Sequence, residues 1–163
     1  MPVIAKEVGW GISEQMARQL ADAGVSALDV AGAGGTSWSE VEYHRAPDAF
    51  HAQVAACFAD WGIPTAYSVI YAKRAAPSLP VIASGGLRNG IDIAKSIALG
   101  ADLAGLAGPF LKAAVESPED VLSVIKLLTR QFKIAMLCAG AGNIDTLANT
   151  PLTLSKQPPS PLR

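Results

Sequence analysis

Pro80-Val-Ile-Ala-Ser-Gly-Gly-Leu-Arg-Asn-Gly-Ile-Asp-Ile-Ala-Lys95 runs from a short apolar segment through a glycine pair into an amphipathic segment. Val81, Ile82 and Ala83 lie between Pro80 and Gly85-Gly86, the pattern of a strand buried on both faces. Gly85 and Gly86 leave the backbone open to close approach, and Asn89 or Asp92 can cap a following helix. Backbone N–H groups at such a strand-to-helix junction suit a phosphate. The plan recurs at Ala104-Gly-Leu-Ala-Gly-Pro-Phe-Leu-Lys112, where Gly108 precedes a helix start at Pro109. Phosphate loops after two consecutive strands are a property of (β/α)8 barrels.

Working outward, residues 2–9 read as an opening strand, and Ser13 as the cap of a helix over 15–23 that Gly24 ends. A second strand over 25–30 runs into the glycine-rich loop Ala31-Gly-Ala-Gly-Gly-Thr-Ser-Trp38. Residues 39–59, which hold both histidines, are expected to be a long, partly helical, mobile insertion. The next helix is expected to run from 60 to about 76. Then follow a strand over 80–84, a helix over 89–99, a strand over 101–107 and a helix over 118–137. Four βα units imply a parallel sheet and half of a (β/α)8 barrel, which usually needs about 250 residues. The expected organisation is one half-barrel over 1–150 and a flexible, proline-rich tail over 151–163.

The 163 residues, 50% hydrophobic and 17% charged, suffice for one domain with a substantial core. A net charge of -1 with scattered Lys and Arg offers no basic face for nucleic acid or an anionic membrane. Neither a signal peptide nor a membrane-spanning run is visible, so a cytoplasmic protein is expected. Cys57 and Cys138 have no metal or redox spacing and read as apolar fillers or free thiols. His44 and His51 fall outside ligand spacing. Trp38 and Trp61 read as packing residues around the loop, and Glu42 as a brace for it or a surface residue.

Lys6-Glu7-Val8-Gly9, Gly34-Gly35-Thr36-Ser37-Trp38 with Glu42, Asp60-Trp61-Gly62-Ile63-Pro64-Thr65, Ser84-Gly85-Gly86-Leu87-Arg88-Asn89-Gly90 and Ala107-Gly108-Pro109-Phe110-Leu111 occur in that order. Together they resemble the C-terminal half of the type 2 isopentenyl-diphosphate delta-isomerases, which are FMN-dependent (β/α)8 enzymes. The resemblance implies interconversion of isopentenyl and dimethylallyl diphosphate with reduced FMN and Mg2+, NADPH serving as the flavin reductant and the flavin itself as the acid/base. It places Lys6 against the electron-rich side of the flavin ring. Thr36 would hydrogen-bond in the FMN site, and Gly85, Gly86, Leu87, Ala107 and Gly108 would hold its phosphate. The family often has a serine where this chain has Ala31, so one flavin contact is absent or replaced. The family's Mg2+ ligand, its early flavin contacts and its basic substrate residues lie before the stretch matching Met1, so no metal ligand is expected in this chain, and the chain alone is expected to be inactive.

Two other readings compete. A 2-hydroxy-acid oxidase would show a histidine base with an arginine after Val30, and an inosine monophosphate dehydrogenase a nucleophilic cysteine there; the loop has neither. An inactive half-barrel, acting as a structural or FMN-binding fragment, would expose two sheet edges and an apolar surface, from which a homo-oligomer is expected.

Overall fold

The computed structural model describes residues 1–153. Four strands, β1 (Ile4–Lys6), β2 (Ala27–Asp29), β3 (Val81–Ser84) and β4 (Leu103–Gly105), pair in chain order and all in parallel. The helices are α1 (Glu14–Asp22), α2 (Trp38–Arg45), α3 (Ala49–Ala56), α4 (Thr65–Ala75), α5 (Gly90–Ala98), α6 (Gly108–Glu116), α7 (Pro118–Cys138) and α8 (Ile144–Ala148). This is the sequential βα order expected of an arc of a (β/α)8 barrel. The expected tail falls, from residue 154 on, outside the described residues.

Alternation along the strands separates two faces of the sheet. Leu28, Val81 and Ala83 point into a core with Ile12, Ala17, Val30, Val69, Ala72 and Ala101, which joins the sheet to α1 and α4. The opposite face therefore carries Ile4 and Lys6 of β1, Asp29 of β2, Ile82 and Ser84 of β3, and Leu103 and Gly105 of β4. Its apolar layer is uncovered at both edge strands, where Ile4 is 56% and Leu103 60% exposed. A second core, Ala94, Ile97, Ala141 and Leu147 with Phe132 and Met136, binds α5, α7 and α8 together.

The 39–59 segment, expected to be partly helical, holds the helix pair α2 and α3. Ser37 caps α2 by accepting from the Glu40 N–H, Asp48 caps α3 by accepting from the His51 N–H, and Ala46-Pro47 separates them. α4 begins at Thr65 rather than at 60, because the preceding backbone is committed elsewhere. Ile63 N–H donates to Trp10 O, Ile63 O accepts from Ala33 N–H, and Pro64 bridges Ala33. Strands β2 and β4 are shorter than the expected 25–30 and 101–107.

Candidate flavin-phosphate site

A cavity of about 680 Å3 opens at the C-terminal ends of the four strands. Lys6, Asp29, Ser84 and Gly105, the last residues of β1 to β4, line it together with the loops that follow each strand. All seven residues singled out from the sequence, Lys6, Thr36, Gly85, Gly86, Leu87, Ala107 and Gly108, line this one cavity.

The two glycine-rich loops are packed backbone to backbone, which is more than the sequence suggested. Gly85 has φ +101° and Gly86 φ +79°, left-handed values that favour glycine. A Cβ on Gly85 would meet the Gly32 backbone and one on Gly86 the Gly34 backbone. The glycine pair thus admits the neighbouring loop as well as leaving its own N–H groups open. Buried Thr65 secures the turn, its Oγ1 donating to Gly85 O at 2.6 Å, and Arg88 reaches Gly34 O at 3.4 Å.

The helix ends after the two loops differ. At α5, Asn89 Oδ1 accepts from the Ile91 and Asp92 N–H groups, and Gly90 N–H donates to Gln131, so this helix start is already satisfied. The expected Asn89 cap is thus in place, and on the β3 side the open N–H groups belong to the turn, since Gly86 and Leu87 find no acceptor among the described residues. At α6, Ala107 provides no side-chain cap, and nothing stands within 4 Å of a Cβ on Gly108. Unsatisfied N–H groups at an uncapped helix start carry partial positive charge.

The side chains facing the cavity reinforce that sign. Lys6, Arg88 and Lys112 line it, and Asp29 is the sole carboxylate among the lining residues. Lys6 Nζ lies 3.2 Å from Asp29 Oδ2, and Ser84 Oγ donates to Asp29 Oδ1. Glu7, adjacent to Lys6 in sequence, is not among them: its Oε2 accepts from the N–H groups of Val8, Gly9, Trp10 and Gly11 at 2.6–3.2 Å. This carboxylate shapes the loop after β1. Ala31, buried and with φ +35°, lines the wall.

Other candidates lie apart. Trp38 Nε1 donates to Val8 O and ties α2 to the loop after β1, while Trp61 stacks edge-on against Phe58. His44 pairs with Glu40 and His51 with Asp48; the His51 backbone N–H, then its ring, hold the Asp48 carboxyl below its usual range. Glu42 is exposed beside a separate groove between α2 and α3, and both cysteines are exposed free thiols. Sequence reasoning missed Asp29, Ser84, Arg88 and Lys112. The expected strand over 25–30 placed Asp29 inside it, and only the observed end at Asp29 sets it beside Lys6.

A family model for FMN-dependent dehydrogenases matches residues 1–154. The chain belongs to the FMN-dependent dehydrogenase family. Within it, the chain is 52% identical over 150 residues to the isopentenyl-diphosphate delta-isomerase of Nostoc sp., covering 92% of this chain and 43% of that protein. It is 54% identical over 151 residues to that of Xanthobacter autotrophicus, covering 93% and 44%. The chain thus spans less than half the length of these curated relatives. A lactate oxidase structure from Pediococcus acidilactici superposes with a TM-score of 0.74 at 26% identity, over 96% of this chain and 38% of the other. A mandelate oxidase structure superposes at 0.69 with 21% identity, over 95% and 42%, a likeness of fold alone. The family's fold is the TIM barrel, and the four parallel βα units here are part of one. No described helix is long and apolar enough to cross a membrane.

The residues present fit the phosphate of FMN. Two sets of open backbone donors, at Gly86-Leu87 and at the start of α6, converge with Arg88 and Lys112 on one cavity whose floor holds a further cation, Lys6.

Proposed function

We propose that this chain supplies the flavin-phosphate-binding half of an isomerase that interconverts isopentenyl and dimethylallyl diphosphate in isoprenoid biosynthesis. The observation that carries the reading is the convergence of two open backbone cradles and three cations on one cavity at the strand ends. Its support in comparison is the identity of about one residue in two to curated isomerases over nearly the whole chain.

In this reading the N–H groups of Gly85, Gly86, Leu87, Ala107 and Gly108 hold the FMN phosphate, with Arg88 and Lys112 adding charge. Thr36 hydrogen-bonds the cofactor from the glycine-rich loop. Lys6 would add a positive charge to the flavin site, which would favour the reduced, anionic form. Bound reduced FMN supplies the acid/base chemistry of the allylic proton shift. Mg2+ at the substrate diphosphate, NADPH as reductant, a cytoplasmic location and a homo-oligomeric assembly complete the proposal, the Mg2+ ligands coming from outside this chain. The loop after β2, Ala31 to Ser37, contains no histidine, arginine or cysteine, which favours isomerisation over the 2-hydroxy-acid oxidation named for the structural neighbours.

A chimera tests it. Residues 1–150 replace the matching region of the Nostoc relative, and the product is assayed with isopentenyl diphosphate, FMN, NADPH and Mg2+. Formation of dimethylallyl diphosphate dependent on reduced FMN is expected, with no turnover by the 163-residue chain alone. A folded chimera that binds FMN and oxidises lactate or mandelate without isomerising would overturn the reading.

A further inference from the structure

Building on the FMN reading, we infer that Asp29 is a positioning residue which holds the Lys6 ammonium at its place on the cavity floor. Lys6 and Asp29 are register partners on adjacent parallel strands, so their side chains leave the same face of the sheet. Their charged atoms meet at 3.2 Å, with the Lys6 side chain 54% and the Asp29 side chain 13% exposed. The exposed partner is therefore the long, flexible one. A lysine in that setting keeps a fixed location only if a fixed anion holds it, because its stem has several rotatable bonds to restrict.

Asp29 is such an anion. Its Oδ1 accepts from Ser84 Oγ and, at 3.3 Å, from Ala31 N–H. Donors from β3 and from its own following turn thus fix the carboxylate plane and leave Oδ2 for Lys6. Glu7, the nearest acid in sequence, is occupied by four backbone N–H groups of its own loop. The Ala31 contact gives Asp29 a second, structural job, because it closes a turn at a residue with φ +35°. Asp29→Asn separates the two jobs: the amide oxygen still accepts from Ser84 and Ala31, while the charge facing Lys6 is lost.

The test has two arms. In the 163-residue chain without flavin, labelled at lysine 15Nζ, Lys6→Met assigns the Lys6 ammonium signal. Asp29→Asn is expected to shift that signal to the position of exposed lysines, with the melting temperature unchanged. In the chimera with FMN bound, the midpoint potential is measured with the wild-type sequence, Asp29→Asn, Lys6→Met and the double variant. A positioning role predicts that the shift caused by Asp29→Asn vanishes when Lys6→Met is already present. A mere nearby charge predicts an upward shift of equal size in both backgrounds, since removing a negative charge favours the anionic reduced form. That result, or an unmoved Lys6 signal, overturns the inference. A folded chimera that takes up no FMN removes the FMN reading, and the ammonium signal still decides for or against Asp29.

Discussion

A Cβ placed on Gly86 would lie 2.5 Å from the carbonyl carbon and oxygen of Gly34. The turn after β3 and the loop after β2 are therefore one packed unit, and the cavity wall exists only while both hold. Gly86→Ala meets this clash and a φ of +79° together. The left-handed conformation alone costs about 1–2 kcal/mol, and the displaced loop brings the total to about 3 kcal/mol. Urea unfolding of the variant is expected to show this loss, along with weaker FMN uptake, because the Thr36 loop moves with Gly34. An unchanged unfolding midpoint would mean that the loops are not packed against each other.

Thr65 provides a milder probe of the same unit. Thr65→Val keeps the branched shape at a buried site but removes the Oγ1 donor to Gly85 O. Leaving that carbonyl without its donor is expected to cost about 1–2 kcal/mol. Thermal unfolding measures the loss, and Thr65→Ser should recover most of it, since the hydroxyl returns.

On the other side of β3, Asp102 joins strand and helix. Its Oδ2 lies 2.7 Å from Lys73 Nζ and accepts from Val81 N–H at 2.8 Å. Partial burial pushes the carboxyl upward, but the Lys73 hydrogen bond, the Val81 N–H and the Lys73 charge outweigh it, so the net shift is below the ordinary 3.8. A depressed folded-state value stabilises the protein above the unfolded value and loses that contribution as pH falls through the folded one. Comparing unfolding midpoints of wild type and Asp102→Asn should give a difference that is constant from pH 7 to 5 and shrinks below about pH 4. The Asp102 side chain is 49% exposed, so solvent screening keeps the difference under about 1 kcal/mol.

How far the sequence revealed these features depended on range. Strand-turn-helix junctions such as 80–95 were legible because apolar runs, glycines and caps act within a few residues. The seven residues singled out from the sequence, all of which line the cavity, followed from the two repeated junctions together with the family resemblance. What was hidden depended on pairing between distant segments. Thr65 reads as an ordinary helix start until Gly32 and Gly85 are brought against it. Glu7 reads as a polar neighbour of Lys6 until its loop folds back over it. The late start of α4 follows from Ile63 pairing with Trp10 and Ala33, which no local propensity encodes. Helix in the 39–59 segment was expected from the sequence; its division into two helices follows from the Ser37 and Asp48 caps.

Lys112 allows a charge acting on a ligand to be told apart from a charge acting on the fold. It lines the cavity from α6, is exposed, and has no ion-pair partner among the described residues. Removing an exposed, unpaired charge changes stability by no more than about 0.5 kcal/mol. Near a bound phosphate the same charge strengthens binding through a screened attraction. Lys112→Gln is therefore expected to lower FMN affinity about 3- to 10-fold, or about 0.7–1.4 kcal/mol, while the unfolding midpoint stays in place. Salt separates this from a packing effect: at 1 M, where the screening length is about 3 Å, the wild-type advantage should nearly vanish. Lys95→Gln, an exposed lysine on α5 outside the cavity lining, serves as the control and should leave affinity unchanged at every salt concentration. Fluorescence titration of FMN into the three proteins at low and high salt makes the comparison. Equal affinities for wild type and Lys112→Gln at low salt would place the phosphate away from α6.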